Sequence, residues 1–342
     1  MNFSEHSLND LIARKLNGLC KPPESLGEIE VVATLLCRIQ GTLSPTTKPR
    51  HVSIFAADHG VTCEGVSAWP SEVTRSVVKV MQSGRTASGV FAQSLDCGYE
   101  VVDVGLVASI DRTSPSFIDA AFRRGTGNIM REPAMSMSEF EHAWSVGSNR
   151  ARIACEAGNI LLIGGEMGIG NTTAASCLIG MLANAEPEAI VGRGAGVGDE
   201  GLEKKFTVVR SSIERVRALK LTSPQEIAAQ LGGLEIVALA GFYTEGASRG
   251  ATLLIDGMIA TSAALIAFAI NPMVATKMIA GHRSTEPGHM VALEQLGLNP
   301  VLDLKMRLGE ATGAIAALPI LDLAAEMINN MATLDELGAY HE

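Results

Sequence analysis

The sequence has little positive charge and no long basic run. Its 27 lysines and arginines face 37 aspartates and glutamates, for a formal net charge of -10 over 342 residues. That balance argues against nucleic acid or an acidic membrane surface as the partner. No CxxC spacing links the six cysteines, Cys20, Cys37, Cys63, Cys97, Cys155 and Cys177, and their scatter fits reduced, mostly buried thiols in a cytoplasmic protein. The stretch MNFSEHSLNDLIARK is polar and mixed in charge, so it does not read as a secretory signal. Residues 257–275 carry no charge, but they are rich in Ala, Ser and Thr and are broken by Asn271-Pro272. They read as a helix buried on a parallel sheet followed by the next strand, and no membrane span is expected. The glycine-rich segment at 164–173 lacks the common nucleotide signatures, since no GK[ST] follows its glycines and it is not GxGxxG, and no HExxH occurs.

What is present is an alternation. With 47% hydrophobic residues the chain has enough apolar material for a large core. Apolar runs at 51–57, 100–104, 159–164, 251–255 and 274–280 read as strands buried on both faces, separated by segments long enough for crossover helices. The fold class is therefore α/β with a mostly parallel sheet and helices on both faces. At the flanks, residues 3–41 hold two amphipathic helices, the second with Leu26, Ile29, Val32, Leu36 and Ile39 at helical spacing. Residues 310–330 give a third, with Ile315, Leu318, Leu321, Ala325 and Ile328. The expected division is a small helical domain from 1–45 with 310–342, beside a large α/β nucleotide-binding domain over 46–309.

The strand ends are more telling than the strands. They run into DHG (58–60), DVG (103–105), GGEMGIG (164–170), DGM (256–258) and GHRS (281–284), and in open α/β sheets this carboxyl edge carries the ligand. The glycines of 164–170 let the backbone approach a ligand, and the helix that follows offers unpaired N–H groups to an anion. Glu166 stands in the middle of that anion-friendly segment, which suggests phosphate binding beside chemistry that develops positive charge. A tight strand-to-helix turn would need glycine in any case. A second glycine-rich loop, GRGAGVGDEGLEKK (192–205), brings Arg193, Lys204 and Lys205; it reads as a flexible loop or as a partner in holding a mononucleotide phosphate. AGHRSTEPGH (280–289) gathers His282, Arg283, Ser284, Glu286 and His289 at spacings that fit no zinc pattern, so contact with phosphate or ribose is the better reading. Glu310, after Gly309 in RLGEATGA (307–314), is expected at a helix start, where carboxylates commonly balance the dipole.

Together these segments resemble the nicotinate-nucleotide–dimethylbenzimidazole phosphoribosyltransferase family. The matching pieces are KPPESLGEIE (21–30), FAADHGV (55–61), EGVSAWP (64–70), GEMGIGNTT (165–173), GRGAG (192–196), GGLEIVALAG (232–241), LIDGMIATSAAL (254–265), AGHRSTEPGH and RLGEATGA, spread over nearly the whole chain. The resemblance implies a Rossmann-like large domain, a small helical domain from both chain ends, and a homodimer with shared active sites. It implies nicotinate mononucleotide and a benzimidazole-type base as substrates, with no metal or other cofactor. It makes Glu310 the general base and gives Glu166 a role at the ribosyl centre. The nucleotide and phosphate set it implies is Gly168, Gly170, Asn171, Thr172, Gly194, Lys205, Asp256, Ser284, Arg307 and Gly309; the acceptor base is expected against Ser67, Trp69, Met81 and Leu308. Glu24, Glu28, Ala195, Ala311 and Trp69 depart from the family's usual residues, which leaves benzimidazoles, purines and phenols all open as acceptors. A nucleotide-dependent oxidoreductase would need a GxGxxG after the first strand, which 58–65 does not supply. A non-catalytic nucleotide-binding protein would tolerate loss of Glu310.

Overall fold

Alternating buried strands and crossover helices close into one parallel sheet. A computed structural model describes residues 5–338; residues 1–4 and 339–342 of the expected helical domain lie outside them. The strands are β1 (Arg50–Ala57), β2 (Gly98–Gly105), β3 (Phe117–Asp119), β4 (Leu161–Met167), β5 (Thr252–Ile255), β6 (Met278–His282) and β7 (Pro300–Leu302). All their pairings are parallel, in the order β3-β2-β1-β4-β5-β6-β7. The order reverses between β1 and β4, so the crevice outside their carboxyl ends is the natural ligand site.

Helices cover both faces. In chain order they begin with α1 (Glu5–Asn17), α2 (Glu28–Gln40), α3 (Glu72–Met81), α4 (Ala87–Ser94), α5 (Met137–Glu156) and α6 (Asn171–Leu182). They continue with α7 (Pro187–Ile190), α8 (Asp199–Ala218), α9 (Pro224–Leu231), α10 (Leu234–Ser248), α11 (Met258–Ile270), α12 (Pro287–Leu296) and α13 (Thr312–Asn330). Because strand side chains alternate, Phe55, Leu162 and Leu253 join the core under α5, α6 and α8–α12, while Ile54, Leu161, Ile163 and Leu254 join α1–α4 and α13. The two chain ends thus meet: α2 packs on α13, and both share a core with one sheet face. Arg50 of β1 fastens α13 through Asp322 at 2.7 Å. By length and composition α13 is apolar enough to cross a membrane, but Ile315, Leu318, Leu321 and Ile328 are buried in that core. The charge-free stretch becomes α11, 13 residues long and buried on the other face.

Several boundaries differ from the expected ones. The strand expected over 274–280 begins only at Met278, because Pro272–Lys277 forms a 3-10 turn whose start is capped by the Asn271 side chain accepting from Met273 N. That strand and β4 both run further than expected, so His282 and Gly165–Met167 are strand residues. Leu26 precedes α2 and is exposed. Glu310 does not start a helix: it and Ala311 take left-handed φ values of 60° and 62° in the turn before α13.

Candidate active site

A cleft of about 270 Å³ opens at the carboxyl edge, over the ends of β4 and β6. Glu166 reaches it from β4, Gly168–Thr172 from the turn into α6, Arg193–Ala195 from the second glycine-rich loop, Ser284 and Glu286 from the segment after β6, and Arg307–Glu310 from the turn before α13. Segments far apart in sequence meet here because parallel strands all present their carboxyl ends on one edge.

Of the three buried carboxylates on this space, Glu286 is held by the Gly194 N–H, and Glu166 and Glu310 are the pair whose basicity burial raises. Burial pushes the Glu166 carboxyl up to about 8, with the charges of Asp256 and Glu235 adding to the effect. Its Oε2 accepts from Asn171 Nδ2, so the first residue of α6 orients it. Gly309 passes directly over it: a Cβ there would lie 2.5 Å from Glu166 Oε1, and the φ of 84° also favours glycine. Burial likewise raises the Glu310 carboxyl, and hydrogen bonding from Ser88 opposes the shift. Ser88 Oγ lies 3.2 Å from Glu310 Oε2 and 3.1 Å from the Tyr99 hydroxyl. Neither carboxylate has a salt-bridge partner among the described residues, whereas their acidic neighbours are paired: Asp256 with His282 at 3.4 Å and Glu235 with His59 at 2.6 Å.

The anion end is built from backbone and from Arg307, with one buried cation, Lys205, beneath it. Gly170, at φ 94°, caps α6, and Asn171 and Thr172 of its first turn border the cleft; Asn171 N and Thr173 N are engaged by Gly168 O and Gly170 O. Gly168 sits where a Cβ would meet Ala57 O at 2.6 Å, which draws the turn down onto β1. Gly194 donates its N–H to Glu286 Oε1 at 2.9 Å, and its carbonyl accepts from Arg307 Nη1 at 3.0 Å. Its N–H is therefore already engaged, and its contribution is to the shape of the loop. Lys205 does not reach the cleft as expected; it is fully buried beneath it, donating to Thr172 Oγ1 at 2.9 Å and Gly192 O at 3.1 Å. Burial lowers its ammonium to about 8.

Ser67, Trp69 and Leu308 border the opposite end as expected, joined by Val66, Val73 and Val77. Trp69 and Leu308 are more than half exposed, at 54% and 58%. Met81 does not border it: one turn beyond Val77, α3 has rotated this side chain into the core against the sheet. Asp256 also lies outside the lining; it is buried, and its Oδ1 accepts from Ala314 N at 2.9 Å, fixing the start of α13 behind Glu310. The remaining expected residues, Gly168, Gly170, Asn171, Thr172, Gly194, Ser284, Arg307, Gly309, Glu166 and Glu310, share the cleft. Sequence reading missed Ser88 and Tyr99 behind Glu310, which stand 222 and more than 200 residues away and carry no local signal. Val73 and Val77 were findable, since their i,i+4 spacing marks one helix face.

A phosphate-sized anion site beside two carboxyls of raised basicity suits transfer of a phosphorylated sugar to a protic nitrogen base. A phosphoribosyltransferase family model matches residues 2–338. Nicotinate-nucleotide–dimethylbenzimidazole phosphoribosyltransferase of Chromobacterium violaceum is 47% identical over 320 residues, which is 94% of this chain and 92% of that protein. The enzyme of the same name from Thermus thermophilus is 45% identical over 324 residues, covering 95% and 96%. The crystal structure of CobT from Thermus thermophilus superposes with a TM-score of 0.93 at 43% identity, over 98% of this chain and 99% of that one.

Proposed function

The chain belongs to the nicotinate-nucleotide–dimethylbenzimidazole phosphoribosyltransferase family, and from that premise we propose how its cleft performs the transfer. The enzyme moves 5-phosphoribosyl from nicotinate mononucleotide to 5,6-dimethylbenzimidazole, giving α-ribazole 5'-phosphate and nicotinate for cobalamin assembly. In the donor the nicotinate nitrogen is a pyridinium, so the C1'–N bond breaks with its electron pair returning to that nitrogen and no acid is needed. A benzimidazole ring nitrogen bonds to C1' from the opposite face, which inverts the sugar from β to α. The other ring nitrogen then loses its proton to Glu310, which burial has made more basic than a free carboxylate. Ser88 holds Glu310 in place.

Glu166 serves the donor. Its carboxyl, at about 8, is mostly protonated at neutral pH. The positive charge of the pyridinium and of the oxocarbenium-like transition state favours its ionised form, so its charge appears where and when the sugar needs it. The phosphate lies at the start of α6 with Arg307 and Ser284. The observation that carries this reading is that Glu166 and Glu310, two buried, unbridged carboxyls of raised basicity, face one cleft with the start of α6 and Arg307.

The acceptor lies against Trp69, Val73, Val77 and Leu308. We also propose a homodimer that covers the exposed Trp69, Val80, Val90, Phe91 and Leu308, and a cytoplasmic site of action, in keeping with six free cysteines. The test incubates the purified protein with nicotinate mononucleotide and 5,6-dimethylbenzimidazole, adenine or phenol, and separates the products by chromatography. Nicotinate release with the benzimidazole supports the reading; release with none of the bases overturns it.

A further inference from the structure

One histidine beside the phosphate end is bonded in a way that fixes its protonation. His289 is fully buried. Ser284 lies 2.9 Å away through its backbone N, which can only donate, so His289 Nδ1 must be an unprotonated acceptor. At the other end Nε2 is 3.0 Å from Thr261 Oγ1, whose own hydrogen goes to Gly257 O at 2.9 Å. The ring is therefore the neutral tautomer with its proton on Nε2, donated to Thr261. Burial, with the neighbouring His282 charge, lowers its pKa to about 3, so this arrangement holds throughout the working pH range.

The chain of bonds continues toward the cleft. Glu286 N donates to Ser284 Oγ at 3.3 Å, and Glu286 Oε1 takes the Gly194 N–H. The flanking N–H groups of Arg283 and Thr285 go to Leu302 O and Met306 O. Ser284 is thus the one residue of this short turn whose backbone is aimed by a side chain from α12. Its hydroxyl borders the cleft and donates to no group among the described residues.

We propose that His289, which touches no substrate, is a positioning residue for the nucleotide phosphate: it turns the Ser284 hydroxyl and, through Glu286, the 192–196 loop toward the phosphate. This rests on the reading of the cleft as a nucleotide site.

The test compares two amides that imitate opposite ends of the ring. His289→Asn keeps an acceptor near the Nδ1 position for Ser284; His289→Gln keeps a group near the Nε2 position for Thr261 and loses the Ser284 bond. For each, the KM for nicotinate mononucleotide is measured alongside the inhibition constant of nicotinate riboside, which lacks the phosphate. Losing one such positioning bond corresponds to about tenfold in affinity. His289→Gln is expected to raise the KM for the nucleotide about tenfold, leaving riboside inhibition and the KM for the base within about twofold. His289→Asn is expected to stay near wild type. Equal behaviour of the two variants, whether both normal or both impaired, overturns the proposal, as does a matched loss for nucleotide and riboside. If the wild type itself binds riboside as tightly as nucleotide, the phosphate reading of the cleft fails instead.

Discussion

The phosphate end of the cleft is tied together before any ligand arrives, whereas the acceptor end stands open. At the first, Lys205, Glu286, Arg307 and His289 are each engaged with a backbone or side-chain partner, so the loops at 168–172, 192–196 and 283–286 are mutually braced. At the second, Trp69 and Leu308 present large apolar faces to solvent. The contrast follows from what each end must hold. A phosphate is small, charged and the same in every donor, so rigid donors placed in advance raise affinity without an ordering cost on binding. A flat aromatic base is held by apolar area, which is less demanding in geometry and is completed by whatever covers it.

That contrast can be broken at its catalytic seam first. Glu310→Gln keeps the shape of the turn but cannot accept a proton. It is expected to lower kcat by roughly 10²- to 10⁴-fold while nicotinate mononucleotide still binds, measured by steady-state kinetics and calorimetry. Lys205→Met attacks the braced end: Gly192 O and Thr172 Oγ1 lose their shared donor, and the KM for the nucleotide should rise about 30-fold with little change in the KM for the base. Trp69→Ala attacks the open end and should do the reverse, raising the KM for the base about tenfold while sparing the nucleotide. A change in the nucleotide KM of equal size would remove the distinction between the two ends.

Glu166 supplies a smaller signal that sharpens it. Its carboxyl is at about 8, and a cationic donor lowers that value. At pH 7 the free protein holds the proton and the complex gives it up, so binding should release up to about one proton. Calorimetry in two buffers of different ionisation enthalpy reads this directly. Zero release, or uptake, would contradict the role given to Glu166. The smallest expected effect is at Ala311, whose φ of 62° costs an alanine about 1 kcal/mol relative to glycine. Ala311 is also fully buried, close enough that a Cβ on Gly165 would lie 2.8 Å from its own. Ala311→Gly should therefore shift the melting temperature by no more than a few degrees, with activity retained.

How much of this was legible depended on whether the signal was local. β1, β2, β4 and β5 are announced by mostly apolar runs, although Glu100 and Asp103 interrupt the second, and the carboxyl edge by glycine and ionisable residues at the strand ends. β3 and β7 are three residues each, with no run to mark them; they exist because their neighbours offer a free edge. The start of β6 was hidden because VAT in 274–276 is as apolar as a strand but follows Pro272. Glu166 and Glu310 could both be read from their motifs. Their surroundings could not: Ser88 meets Glu310, and Glu235 raises Glu166, only through the fold. Met81 shows the opposite error, in which an apolar residue near the right helix pointed to the wrong side.

The turn that carries Glu310 lies after every other cleft residue in chain order, immediately before α13. A growing polypeptide thus completes its phosphate loops long before it emits its proton acceptor. The same late segment covers one face of the sheet, with Ile315 and Leu318 closing over Ile54 and Ile163. During synthesis, closing that face and arming the site become one event, so a nascent chain halted before residue 310 lacks both a sealed core and a means to turn over.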